Sequence, residues 1–125
     1  MSHAVAMSVV VSAAPDASGE LLDRDHLAQM TLGDTKLERE ILALFERQAE
    51  LLLERMRMLP PPAVSTLAHT LKGSARGIGA WNVARAAEAV ELADGTLAEF
   101  QNAVDRLGVE IGATRAVIGE FLRTH

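Results

Sequence analysis

The sequence predicts an all-α protein, an antiparallel four-helix bundle with a short extra helix at its N-terminal side. The chain has 125 residues, which is enough for one compact domain and too few for two ordinary ones. Hydrophobic residues make up 49% of it, but 21 of these are alanines and only four are aromatic. That composition suits closely packed helices better than a sheet rich in β-branched side chains. Apolar residues also recur at intervals of three and four, which is the helical repeat.

Residues 1–22 are expected to form a flexible N-terminal extension, and residues 23–125 the bundle. The extension is rich in Ser, Ala and Val and ends in a Pro-Asp-Ala-Ser-Gly stretch that is typical of a linker. Its apolar run over residues 4–14 has no Lys or Arg before it, which disfavours a secretory signal. No uncharged apolar run approaches the ~18 residues of a membrane span, so we expect a cytoplasmic protein without membrane contact.

The first two predicted helices are separated by a single glycine-containing turn. A short helix is capped by Asp23 or Asp25 and ends at Gly33. A long helix then begins at Asp34 and stops at the proline run 60–62. Its apolar positions are expected to form one buried stripe, made up of Leu37, Ile41, Leu44, Phe45, Leu51, Leu52, Met56 and Leu59.

Three further helices complete the predicted bundle. The third runs from about residue 63 to 78 and ends at Gly79, and the fourth begins near Trp81. Thr96 and Glu99 form a capping box for the last helix, because each side chain can accept the other residue's backbone N–H. All connections are short, so successive helices should be antiparallel neighbours.

The third helix carries an unusual polar face. At about 100° per residue, His69, Lys72, Gly73 and Arg76 fall on the side that points away from the buried stripe. Gly73 is notable because a glycine inside a helix costs about 1 kcal/mol relative to alanine. Since it lies one turn after His69, its missing side chain would leave the imidazole uncovered for another protein to reach.

An exposed imidazole beside a cation suits a phosphoryl acceptor. With an ordinary pKa of about 6.5, most of the ring is neutral and nucleophilic at neutral pH. Lys72 has no carboxylate three or four residues away in its own helix, so its charge could stabilise an anion. The chain has no Gly-rich nucleotide loop and no acidic cluster placed to hold magnesium, so a partner would have to supply the catalytic machinery.

The run HTLKGSA that begins at His69, with the Ile-Gly-Ala that follows it, resembles the signature of histidine phosphotransfer (HPt) domains of two-component phosphorelays. The resemblance covers roughly residues 23–123 and implies the same four-helix bundle. It implies that His69 accepts a phosphoryl group from a receiver-domain aspartate, or from a histidine kinase, and passes it to another receiver. Lys72 would stabilise the phosphoryl oxygens, and Gly73 would give the docking receiver clearance.

The resemblance also implies partners and an absence of cofactors. The expected partners are response-regulator receiver domains and a hybrid sensor histidine kinase. Mg²⁺ would belong to the receiver, and the chain would be a stoichiometric carrier and not an enzyme. The short chain lacks the second domain of dimeric phosphotransferases, which favours a stand-alone monomer; a piece of a larger hybrid kinase is the other interpretation. The further residues expected at the partner-binding surface are Arg76, Gln48, which could hydrogen-bond the ring, and Leu27 and Met30, which could instead cap the core.

Other function classes are weaker. A net charge of −5 and a pI near 5.3 disfavour nucleic-acid binding. A di-iron bundle needs Glu-x-x-His pairs, which are absent from the sequence. A zinc site would have to use His3, His26, His69 and His125, whose spacings match no ligand pattern. The alternative that stays open is a helical adaptor that binds receiver or kinase domains without being phosphorylated.

Overall fold

The bundle is formed by four helices that each pack against the next one along the chain. The computed structural model describes residues 20–124, and this part of the chain contains five helices and no strand. α2 packs on α3, α3 on α4 and α4 on α5, and α5 returns to α2 to close the ring, while α1 lies against α3. The predicted bundle with a short extra helix is therefore confirmed. The helices are α1 (Arg24–Met30), α2 (Thr35–Met56), α3 (Pro61–Ile78), α4 (Trp81–Leu92) and α5 (Leu97–Thr124).

Local hydrogen bonds set the helix ends, largely as the sequence predicts. Asp23 and Asp34 each accept a backbone N–H three residues later, at 3.0 Å. Gly79 ends α3 in the left-handed conformation, with φ of +81°. At the start of α5, the backbone N–H of Thr96 donates to the Glu99 carboxylate and the Glu99 N–H donates to the Thr96 hydroxyl, which completes the predicted capping box.

Three boundaries differ from the expectation. α2 ends at Met56, before the proline run, so Leu59 lies beyond it. α3 begins at Pro61 and not near residue 63, because prolines fit in the first helical turn, where no N–H has an intrahelical partner. Leu22 is only 4% exposed and belongs to the core, so the packed chain starts before residue 23. Residues 1–19 of the expected N-terminal extension lie outside the described residues, as does His125.

The buried face of α2 is only partly the predicted one, since Phe45, Leu52 and Met56 are buried as expected and Ile41 is half-buried against the core. Leu37, Leu44, Leu51 and Leu59 are between 38% and 60% exposed, so their assignment to the core was wrong. Leu37, Leu44 and Leu51 each come one position before a buried residue. Because they repeat every seven residues, they lie along one side of α2, next to the buried side. The spacing of apolar residues alone does not show which of these two neighbouring sides of α2 is buried. The side chains that α2 buries are Glu38, Leu42, Phe45, Ala49, Leu52 and Met56.

Four of the nine residues that α3 and α4 bury are alanines. Ala68 and Ala75 on α3, and Ala84 and Ala87 on α4, are at most 3% exposed. Because an alanine side chain extends only one carbon from the backbone, these positions let the two helices approach closely. Polar side chains at the outer edge of this contact are thereby brought within reach of one another across the two helices.

Candidate functional site

His69 stands on the outer side of α3. The residues that α3 buries face the core, and the His69 side chain is 67% exposed, as the helical repeat predicts. The ring is therefore held by a regular helix while remaining open to solvent and to other proteins. A reactive group on a helix is held in a more precise position than one on a loop.

Gly73 keeps the space next to this ring open. It lies inside the helix, and a Cβ added there would meet nothing within 4 Å. Side chains on a helix lean toward its N-terminus, so a larger residue at this position would extend toward His69. Nothing in the described chain packs so closely against this position that a glycine is required. The physical effect of Gly73 is therefore to keep the ring accessible.

Glu91 of α4 connects His69 with Lys72. One carboxylate oxygen, Oε2, lies 2.7 Å from His69 Nδ1, and the other, Oε1, lies 2.7 Å from Lys72 Nζ. The Lys72 side chain is only 12% exposed and that of Glu91 20%, so both are largely covered by the neighbouring helices. Lys72 has no carboxylate partner within α3, but α4 supplies one.

A second carboxylate extends this arrangement along the helix pair. Glu88 Oε2 lies 3.8 Å from Lys72 Nζ and 3.7 Å from Arg76 Nη2. Two cations of α3 therefore face two carboxylates of α4, and their charges balance. The hydrogen bond from Lys72, helped by the one from His69, outweighs partial burial and lowers the pKa of Glu91 below its ordinary value, which keeps this carboxylate ionised at neutral pH.

The ionised carboxylate decides which ring nitrogen is free. A carboxylate without a proton can only accept hydrogen bonds, so His69 Nδ1 must carry the proton in the 2.7 Å contact. In the neutral ring the other nitrogen, Nε2, then holds a lone pair. The site presents this lone pair on an exposed imidazole, next to the gap left by Gly73.

Two of the expected site residues have other positions. Gln48, which was expected to hydrogen-bond the ring, is half-buried on α2, and the ring Nδ1 is hydrogen-bonded to Glu91. Leu27 is 1% exposed and packs in the core, so it cannot form part of a docking surface. Met30, by contrast, is 59% exposed, and the Arg76 side chain is 53% exposed.

Sequence reasoning missed Glu91 and Glu88. The signal that could have found them was a pattern across two helices and not within one. Lys72 and Arg76 stand four residues apart on α3 without acidic neighbours in that helix, and the two glutamates stand three residues apart on α4. A short connection makes these helices antiparallel neighbours, so the charged faces could have been paired.

Two further features are absent from residues 20–124. Among residues 20–124, no group of three histidine, aspartate or glutamate side chains is arranged to hold a metal ion. None of the helices formed by these residues is both long enough and apolar enough to cross a bilayer.

Comparison with known proteins identifies the family. A family model described as the Hpt domain matches residues 40–117, which is more than half of the chain and includes His69, Lys72 and Glu91. The chain belongs to the Hpt family. Hpt domains are phosphocarrier modules of two-component signalling that interact with receiver domains and kinases, so this chain has a phosphotransfer role in such a system.

A solved Hpt structure has the same fold. The chain is 31% identical to the histidine phosphotransferase ShpA from Caulobacter crescentus, with a TM-score of 0.57. The match covers 84% of this chain and 98% of that one. No curated protein matches the chain.

Proposed function

We propose that His69 accepts a phosphoryl group on Nε2 from the aspartyl phosphate of a receiver domain, or from a histidine kinase, and passes it to another receiver. The observation that carries this proposal is the hydrogen bond between His69 Nδ1 and Glu91, which leaves the lone pair on the exposed nitrogen. The family membership supports it independently.

The transfer is a substitution at phosphorus. The Nε2 lone pair forms the N–P bond while the bond between phosphorus and the donor's carboxylate oxygen breaks, and that oxygen leaves with the electron pair. No proton has to leave His69. The carboxylate leaving group needs charge stabilisation at the moment of transfer, and Mg²⁺ in the partner's acidic pocket would supply it.

The partner would approach over the gap at Gly73. Met30 and Arg76 are exposed and are proposed to contact it, and Gln48 is a further proposed contact on α2. The proposal that Lys72 stabilises the phosphoryl oxygens has less support, because its ammonium group is bound to Glu91 in the free protein. We further propose that the chain acts as a monomer.

The decisive experiment compares three proteins. Wild type, His69→Gln and the matched control His26→Gln are incubated with radiolabelled ATP and the hybrid kinases and receivers of the source organism. We expect acid-labile, base-stable label on wild type and on His26→Gln, and none on His69→Gln. His26 is a suitable control because its ring is half-buried against Trp81, with Nε2 buried.

Two outcomes would overturn the proposal. Label that persists on His69→Gln would place the phosphoryl group on another residue. Failure of every donor from that organism to label wild type, with full helicity by circular dichroism, would instead favour a helical adaptor that binds these domains without carrying a phosphoryl group.

A further inference from the structure

We propose that the exposed leucine row of α2 is a self-association surface, on which two copies of this chain pair through antiparallel α2 helices and cover His69. The leucine row consists of Leu37, Leu44 and Leu51, which are 38%, 60% and 53% exposed. The covering effect rests on the proposed role of His69, whereas the pairing itself does not. The monomer remains the form that accepts the phosphoryl group, and the pair is a form in which the histidine is covered.

The leucine row leaves a continuous apolar strip in solvent. Its members repeat every seven residues from position 37 to position 51, which is about 21 Å of helix. Met58, which is 78% exposed, follows seven residues later in the turn after α2. Single exposed apolar side chains are common on proteins, but an aligned set of this length is typical of an interaction surface. A heptad spacing suits such a row to packing against another helix.

The leucine row lies on the side of α2 that faces away from α5. Arg39 and Glu50 both contact α5, and at about 100° per residue Leu44 is roughly 120–140° around the helix from each of them. The row therefore borders α3, the other neighbour of α2. Counting back through the short connection between these antiparallel helices puts Leu44 at about the level of Gly73, one turn from His69.

Charge favours a particular register for the pair. An antiparallel pair has a two-fold axis across its helices, so the same edge of each α2 meets its copy. That edge carries the exposed residues Glu40, Arg47 and Glu54. With the axis at Leu44, Glu40 of each copy lies opposite Arg47 of the other, and symmetry makes this attraction twice. With the axis midway between Leu44 and Leu51, Glu40 would lie opposite Glu54 and Arg47 opposite its own copy, which is repulsive.

The register centred on Leu44 also uses the whole leucine row. It sets Leu44 against its own copy and Leu37 against Leu51 of the second copy. An axis at Leu51 would leave Leu37 opposite residue 65, which lies outside the second α2. Neither Glu40 nor Arg47 forms an ion pair among residues 20–124, so the pairing breaks no salt bridge that the single chain makes there.

A second copy in this position would occupy the space that a receiver needs. It would lie over the α2–α3 side of the bundle at the level of Gly73, where a receiver has to approach His69. Pairing and phosphoryl transfer therefore compete, and by mass action the fraction of covered histidine rises with protein concentration.

Sedimentation equilibrium of the full chain, without any donor, tests the pairing. Between about 1 μM and 1 mM we expect wild type to pass from one chain to two. Leu44→Ser should stay monomeric, while Leu97→Ser, a matched control at a 62% exposed leucine of α5, should follow wild type. A wild type that stays monomeric throughout overturns the proposal. If Leu44→Ser then also slows transfer, the leucine row binds the receiver alone.

Charge variants test the register in the same measurement. Glu40→Arg should weaken association about 10-fold, because two attractions become repulsions. Adding Arg47→Glu should restore it, because the opposite charges then face each other again. If the double variant associates no better than Glu40→Arg alone, the register centred on Leu44 is wrong. Circular dichroism checks that each variant keeps its helices.

A crosslink tests both the register and the covering of His69. The chain has no cysteine, so Leu44→Cys gives a single thiol, which oxidised glutathione should link to its own copy. Leu51→Cys is the matched control and should link much more slowly, because the two copies of position 51 are about 21 Å apart along the pair. The linked Leu44→Cys pair should accept no label on His69, and reduction should restore labelling.

Two results of the crosslink would count against the inference. Faster linking of Leu51→Cys overturns the register, and equal labelling of the linked and the reduced Leu44→Cys protein overturns the covering of His69. Absence of label on wild type and on the reduced protein counts against the proposed function instead, and the sedimentation data then decide the pairing by themselves.

Discussion

Two corners of the bundle each place a histidine next to a carboxylate, and they differ in which groups the carboxylate binds. Where α1 meets α4, the Asp23 carboxylate accepts the backbone N–H of His26 at 3.0 Å and the indole N–H of Trp81 at 2.9 Å. The His26 ring packs edge-on against Trp81, with centroids 5.0 Å apart, and its Nε2 is buried without a hydrogen-bond partner among residues 20–124. This corner fastens α1 to the bundle.

At the α3–α4 edge the carboxylate of Glu91 binds the imidazole itself and a lysine, and the ring is exposed. Both carboxylates have a lowered pKa. For Asp23, partial burial acts to raise the pKa, but the hydrogen bonds from Trp81 and from the His26 backbone outweigh it. The comparison shows that a perturbed carboxylate beside a histidine is not enough to mark a reactive site. What marks the reactive site is that the histidine ring is exposed and that the carboxylate binds a ring nitrogen and not the backbone N–H.

The two corners also contain contrasting glycines, and the larger effect is expected at Gly79. Its φ is +81°, and a Cβ there would lie 2.8 Å from the Asp23 carbonyl oxygen. We expect Gly79→Ala to lower the free energy of unfolding by about 2–4 kcal/mol, through backbone strain and displacement of α1. Urea denaturation measures this. Gly33→Ala, with φ of +78° and open space around it, should lose only the strain; equal losses in both variants would contradict the close contact with Asp23.

Asp23 should have a smaller effect that depends on pH. Asp23→Ala removes the α1 cap and the acceptor for Trp81, so we expect a loss of about 1–2 kcal/mol in the free energy of unfolding at neutral pH. Since the folded-state pKa of Asp23 is depressed below the ordinary 3.8, its contribution is fully present above that value and is lost as pH falls through the lowered pKa.

Asp34→Ala is the matched control for this prediction, because Asp34 caps α2 through a single backbone bond. Thermal unfolding of both variants across the acidic range distinguishes the two aspartates. If Asp34→Ala costs as much as Asp23→Ala, the bond to Trp81 adds nothing to the stability of the α1 corner.

Gly73 should give the smallest change in stability, with the opposite sign. Nothing lies within 4 Å of a Cβ at this helical position, so Gly73→Ala should raise the free energy of unfolding by about 0.5–1 kcal/mol. Gly73→Leu should keep the fold while slowing phosphoryl transfer to His69, because its side chain would extend toward the ring. Denaturation and labelling rates measure the two effects. Transfer at the wild-type rate in Gly73→Leu would show that the partner does not need this space.

The sequence predicted the elements of this molecule better than their faces. Helix caps such as Asp34 and the Thr96–Glu99 pair are local, so a few neighbouring residues determine them. The buried side of α2 was predicted too broadly because Leu44 and its neighbour Phe45 are both apolar, and only the position of the other helices decides which of them is covered. A single helical wheel has no information about that position.

The same limit applies to the site: features that depend on one helix were predicted, and features that depend on the packing of two helices were not. The exposure of His69 and the gap at Gly73 follow from the repeat of one helix. The contact with Glu91 depends on how α4 packs on α3, and Glu91 lies 22 residues beyond His69, so no pattern within α3 could show it. The same packing covers Lys72, which the repeat of α3 alone would leave in solvent.

The order of the helices around the ring has a consequence for how the chain folds. From α2 to α5 each helix contacts its neighbour in sequence, and two contacts join more distant parts: that of α1 with α3, and that of α5 with α2, as in the bond from Arg39 to the Leu122 carbonyl, 83 residues away. Helical bundles that are rich in contacts between sequential neighbours are associated with folding in about microseconds to milliseconds. His69, Lys72 and Glu91 all lie in the α3–α4 hairpin, so the reactive corner depends on short-range pairing and does not have to wait for the slow closure of the ring.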